Sequence, residues 1–154
     1  MAEKIHIGNL ESFDDVKKVE GKQIKIQNEN FYKISNVDKM RPFFMSIVSN
    51  SNHWMFISST GSLSAGRKNS EYALFPYYTD DKISESSETT GSKTVLIVKK
   101  NEKRFLWEPF SERYARVYKT ERNIYKNTIG NKVIFQEINH DLNVEFSYQW
   151  NSSN

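Results

Sequence analysis

From Lys22 to Gln27 the chain runs Lys-Gln-Ile-Lys-Ile-Gln, alternating polar with apolar side chains. A period of two puts one set of side chains on each face of a strand. Asn28-Glu29-Asn30 reads as a turn, and Phe31-Tyr32-Lys33-Ile34-Ser35 as the returning arm of a hairpin. Two apolar runs follow, Phe43 to Ser49 and Trp54 to Ser59, joined by Asn50-Ser51-Asn52-His53. Pro42 stands at the start of the first run, where a missing N–H does least harm. Large apolar residues occupy both faces of both runs, which predicts central strands. Toward the C-terminus, Val144, Phe146, Tyr148 and Trp150 alternate with Glu145, Ser147 and Gln149. This is the clearest half-buried strand in the chain.

Between these landmarks, Thr94 to Lys99 and Arg104 to Trp107 flank Lys100-Asn101-Glu102-Lys103 as a second hairpin. Tyr114 to Tyr125 reads as one long charged strand, and Lys132 to Ile138 as another. Gly61 and Gly66 punctuate a looser stretch. Arg67 to Asp81 reads as ordered loop with local strand, and the polar run 84–92 as a mobile loop. Near the N-terminus, Lys4 to Gly8 is extended. Ser12-Phe13-Asp14-Asp15 resembles a capping box with Asp in place of the usual Glu, predicting one or two helical turns over 12–19 that Gly21 ends. About ten short strands at hairpin spacing predict an all-β, antiparallel sandwich or barrel. We expect a single domain over residues 1–154, or the front part of a larger protein, because Asn151-Ser152-Ser153-Asn154 follows directly on a strong strand.

Composition sharpens this picture in three places. Hydrophobic residues make up 37% and aromatics 14%, so the core must draw heavily on Phe, Tyr and Trp. The 22 basic and 19 acidic residues are interspersed, and the net charge of +3 is too small an excess to argue for nucleic acid. There is no cysteine, which excludes disulfides and thiolate metal sites. The first residues lack an apolar signal region, and no apolar run approaches the ~20 residues that span a bilayer, so a cytoplasmic location is expected.

Catalytic motifs are scarce. No Gly-x-Ser-x-Gly elbow, His-Glu-x-x-His spacing or phosphate-cradling glycine loop occurs. His6, His53 and His140 are far apart and read as turn or surface residues. Asn151-Ser152-Ser153 matches a glycosylation sequon. Paired carboxylates support glycoside chemistry, and Asp80-Asp81, Glu85 and Glu88 are the candidates. Neighbouring residues in an extended chain point to opposite faces, so Asp80 and Asp81 are poorly arranged to flank one bond. Binding character concentrates between His53 and Asp81, in Trp54, Arg67, Asn69, Tyr77, Tyr78 and Asp80. Aromatic planes pack on the C–H faces of sugars, while Arg, Asn and Asp hydrogen-bond their hydroxyl rims. The same aromatics suit base stacking, or a sandwich core and its end.

The order of residues adds a further expectation. Arg41-Pro42-Phe43-Phe44-Met45-Ser46-Ile47-Val48-Ser49-Asn50 leads into His53-Trp54-Met55-Phe56-Ile57-Ser58-Ser59-Thr60-Gly61-Ser62-Leu63. Ala65-Gly66-Arg67-Lys68-Asn69 and the run Ala73 to Ile83 follow, then Trp107-Glu108-Pro109-Phe110 and the late strands. Over residues 20–150 this resembles the N-terminal β-supersandwich of cellobiose-phosphorylase-like carbohydrate-active enzymes, a galactose-mutarotase-like fold. The resemblance implies a fragment without the catalytic (α/α)6 barrel: a non-catalytic scaffold, without cofactor, that contacts the barrel and lends a loop to an oligosaccharide site. Arg67, Asn69, Tyr77, Tyr78, Asp80 and Trp54 are the expected sugar- or barrel-facing residues. Sheet edges offer a route to oligomers. Two other functions stay open: a free-standing module for protein or nucleic acid, and a small enzyme using Asp80 or Asp81 with His53 or His140.

Overall fold

The computed structural model describes residues 3–7, 17–74, 93–111, 119–139 and 141–151. Strands dominate the described residues, and the fold is all-β. In chain order they are β1 (Ile5–Ile7), β2 (Glu20–Ile26), β3 (Glu29–Ser35), β4 (Phe44–Ile47), β5 (His53–Ser58) and β6 (Leu63–Arg67). After them come β7 (Leu96–Lys100), β8 (Lys103–Trp107), β9 (Glu121–Asn127), β10 (Lys132–Asn139) and β11 (Leu142–Gln149). Single 3-10 turns occupy Val37–Lys39 and Ser70–Tyr72.

The strands form three sheets. A five-stranded sheet runs β11-β10-β9-β3-β2, antiparallel throughout. A three-stranded antiparallel meander runs β4-β5-β6. The third sheet is the β7–β8 hairpin with β1 added beside β8 in parallel, a departure from the all-antiparallel expectation.

The first two sheets make the sandwich. Period-two alternation aims Ile124 of β9, Val133 and Phe135 of β10, and Phe146 and Tyr148 of β11 inward. They meet Met45 and Ile47 of β4, Met55 and Ile57 of β5, and Leu63 and Ala65 of β6. Val133 and Ile57 are completely buried. Burying each such side chain contributes about 1.5–3 kcal/mol. Phe110 packs between Phe135 and Phe146, at ring separations of 6.0 and 5.4 Å, although its φ of 64° is unfavourable for a bulky residue. Across the sheets, Lys126 Nζ donates to the Ser46 carbonyl and Val48 N–H to the Gly130 carbonyl.

Several local expectations shift. The first hairpin turns at Gln27-Asn28, one register earlier than the Asn28-Glu29-Asn30 turn, because both residues take positive φ (46° and 68°) and Ile26 pairs with Glu29. That is the twist a two-residue hairpin turn needs. Gly21 lies inside β2 rather than ending a helix; the Tyr32 side chain occupies the space a Cβ there would fill. Of the helical turns placed at 12–19, residues 12–16 fall outside the described residues, and Lys17 to Val19 are not helical. Of the two apolar runs only β5 is central, while β4 is an edge strand. The stretch after Gly61 contains a full strand, β6, hidden in sequence by its small residues. The long charged strand begins at Glu121; residues 112–118 and the loop 84–92 lie outside the described residues.

Candidate binding surface

The outward face of the β4-β5-β6 sheet carries a row of aromatic rings. On β5 alternation sends Met55 and Ile57 inward and Trp54 and Phe56 outward. Pairing of Phe44 with Ser58, and of Ser46 with Phe56, puts Phe44 on the same outward face. Phe44 stacks on Phe56 at 5.4 Å and 25°, and Trp54 stacks on Phe56 from the other side at 5.6 Å and 30°. Offset stacking of this kind contributes about 0.5–1.5 kcal/mol per pair beyond burial. Phe44 remains 40% exposed, and Trp54 and Phe56 are half-buried. Phe44 is thus the exposed end of the row, while the indole nitrogen of Trp54 at the other end is buried.

Small residues on β6 make room for it. Trp54 lies opposite Gly66, where a built Cβ would come within 2.6 Å of the indole and 2.7 Å of the Tyr72 carbonyl. Only glycine lets both the indole and the segment through Tyr72 and Ala73 approach this closely. Ser64, opposite Phe56, is fully buried, and its hydroxyl has no hydrogen-bond partner among the described residues.

Of the residues singled out from sequence, Trp54 belongs to this row. Arg67 is exposed at the end of β6, opposite His53, and alternation aims it to the face away from Trp54. Asn69 caps the 3-10 turn, its side chain accepting from Glu71 N–H at 3.1 Å. Tyr77, Tyr78 and Asp80 lie outside the described residues, as do Asp81, Glu85, Glu88 and His140. Phe44 and Phe56 escaped the sequence reading because runs apolar on both faces looked like buried central strands. Their pairing with Ser58, Ser46 and Ser64 on this face is set by strand register, which the runs themselves do not show. Neither a protein-family model nor a curated protein matches this chain. The likeness to cellobiose-phosphorylase-like chains thus rests on the residues quoted for it alone.

Two polar clusters elsewhere are held by their own partners. Arg122 of β9 donates through Nε to Glu137 Oε1 at 2.5 Å and through Nη2 to the Ser111 carbonyl at 2.8 Å. Trp107 Nε1 donates to the second Glu137 oxygen at 2.5 Å. The pair is almost completely buried and joins β8, β9 and β10. With donors on both oxygens, Glu137 is a structural joint rather than a general base. On the other face of the five-stranded sheet, Gln136 Oε1 accepts from Asn123 Nδ2 and Tyr125 Oη at 2.7 and 2.8 Å. A hydrogen bond from Asn123 holds the neighbouring Glu121 carboxyl below its ordinary range. Partial burial opposes this, and Lys17 and Lys33 add to it.

His53 Nδ1 lies 2.6 Å from Ser51 Oγ, but the imidazole stacks on Trp150 at 4.8 Å. His6 stacks on Phe105 at 5.3 Å. Among the described residues, no three His, Asp or Glu side chains gather as a metal set, and no helix is long and apolar enough to cross a membrane.

Proposed function

We propose that this chain is a non-catalytic carbohydrate-binding β-sandwich that takes a sugar chain along the row Phe44, Phe56 and Trp54. In the setting that the resemblance implies, it serves as an accessory part of a larger glycoside phosphorylase- or hydrolase-like enzyme, beside a helical-barrel catalytic domain. The observation that carries the proposal is the row itself. Three rings held in a line by mutual stacking, with one end 40% exposed, offer an extended apolar surface at fixed spacing. Pyranose rings have apolar C–H faces that pack on such surfaces, and little conformational entropy is lost when the rings are already ordered.

Titration with gluco-oligosaccharides tests this. Tryptophan emission is expected to change saturably at millimolar sugar, and Phe44→Ala to weaken binding about tenfold, since an aromatic anchor contributes on the order of 1 kcal/mol or more. A folded protein that gives no response at any chain length would overturn the proposal.

A second function has one observation in its favour. Exposed Lys68 lies with Nζ 5.7 Å over the ring of Tyr72, next to exposed Arg67. Cations beside aromatic platforms also suit single-stranded nucleic acid. Salt-sensitive retention on single-stranded DNA, lost in Arg67→Ala and Lys68→Ala, would favour it over sugar.

A further inference from the structure

The two layers of the sandwich differ in width, five strands against three. β4, an edge of the smaller sheet, is tied to β9 and the turn after it through Lys126 Nζ and the Val48 N–H. β5 lies toward β11, where His53 stacks on Trp150. On the opposite side β3 and β2 continue the larger sheet past β9. A groove of about 340 Å³ opens at this overhang. Ile34, Ile124, Phe43 and Met45 form its apolar wall, and Tyr32 and Lys126 line it as well. Phe43 and Ile34 are only half-buried, so ring and methyl surface is open to an incoming group. The volume lies at the lower end of the range of small-molecule sites, enough for one ring or a short chain.

Charge selects the class of ligand. Among the described residues Lys126 is the one charged side chain that lines the groove, and it forms no ion pair with a carboxylate. Its Nζ donates to the Ser46 carbonyl at 3.0 Å. An ammonium carries three N–H donors, so others remain for a ligand. The side chain is half-buried, and its flexible stem lets the ammonium meet a group held in the groove. A cationic ligand would face this ammonium. A dianionic phosphate would bring a second charge that the apolar wall cannot balance. A carboxylate brings one charge and two acceptor oxygens, and an apolar body suits the wall. We propose that this groove binds a small amphipathic carboxylate, its ring or chain against Phe43 and Ile34 and its carboxylate at Lys126 Nζ. The groove shares no residue with the aromatic row, so the fate of the two sites is separate.

The experiment follows amide chemical shifts of the full chain during titration with phenylacetate, phenylacetamide, phenethylamine and acetate. Saturable shifts at Ile34, Met45 and Lys126 are expected with phenylacetate. The amide and the amine should bind about tenfold more weakly, and acetate, a charge without an apolar body, should give no saturable shift. Lys126→Gln should bring phenylacetate down to the affinity of phenylacetamide and leave the amide's own affinity unchanged, whereas Lys126→Arg should keep the preference for the acid. A lysine that only braces β4 against β9 would instead lower both affinities together. No saturable shift with phenylacetate, equal or tighter binding of the amide or the amine, a preference that survives Lys126→Gln, or a Lys126→Gln loss shared equally by acid and amide would each overturn the proposal.

Discussion

Single residues decide two features that strand patterning leaves open. Gly66 is the first. Its missing Cβ lets the Trp54 indole and the Tyr72–Ala73 backbone converge on β6. Gly66→Ala is expected to destabilise the protein by about 1–3 kcal/mol through overpacking and to shift the tryptophan emission, measured together in a urea titration. Glu137 is the second. Replacing it by Gln puts an amide donor where Arg122 and Trp107 both donate, and removes the buried carboxylate that pairs with the guanidinium. The expected loss is about 3–5 kcal/mol, read as a lower denaturation midpoint, whereas replacing Arg122 and Glu137 together with apolar residues should cost less than Glu137→Gln alone. Sequence held the clue to Glu137, since it continues the inward series of Val133 and Phe135 at spacing two. What it could not supply was the partner, because Arg122 and Trp107 reach Glu137 from other strands.

Among elements, hairpins were the most legible and the second sheet the least. The β2–β3, β7–β8 and β10–β11 pairs all form from segments marked as strands by their alternation. The β2–β3 turn lies one residue before the expected place, because turn position follows φ rather than polarity, while the β7–β8 turn falls within Lys100-Asn101-Glu102-Lys103 as expected. Asn101 and Glu102 turn at φ 51° and 61°, the left-handed region that favours glycine. Glu102→Gly should therefore stabilise the hairpin by up to about 1 kcal/mol, seen as a raised melting temperature. The ion pair it removes, Lys99 with Glu102 at 3.8 Å, is well exposed and contributes little. β6 was missed for the opposite reason. Leu-Ser-Ala-Gly-Arg lacks the bulk that signals a strand, yet the close approach of Trp54 and of the core requires small side chains there.

At the scale of the whole molecule, long-range pairs tie the N-terminal segment to the main sheet. Lys17 Nζ meets Glu121 Oε2 at 3.1 Å, and Asn123 donates to the other oxygen of the same carboxylate. Because the folded state lowers the Glu121 pKa below 4.5, Glu121 contributes stability that is fully present above that pH and is lost as pH falls through the lowered value. Glu121→Gln should thus flatten the acid side of the stability–pH curve below pH 4.5 and leave its slope unchanged near neutrality, as urea midpoints across pH would measure. Period-two burial and a core built from aromatic and branched residues were enough to determine an all-β sandwich, because side-chain alternation is a local property of each strand. Only the tertiary structure decided the parallel addition of β1 to β8, the Arg122–Glu137–Trp107 joint, the alignment of Phe44 with Phe56 and Trp54, and the groove lined by Lys126. Each depends on which strands become neighbours, and that choice is made by packing among segments far apart in the chain.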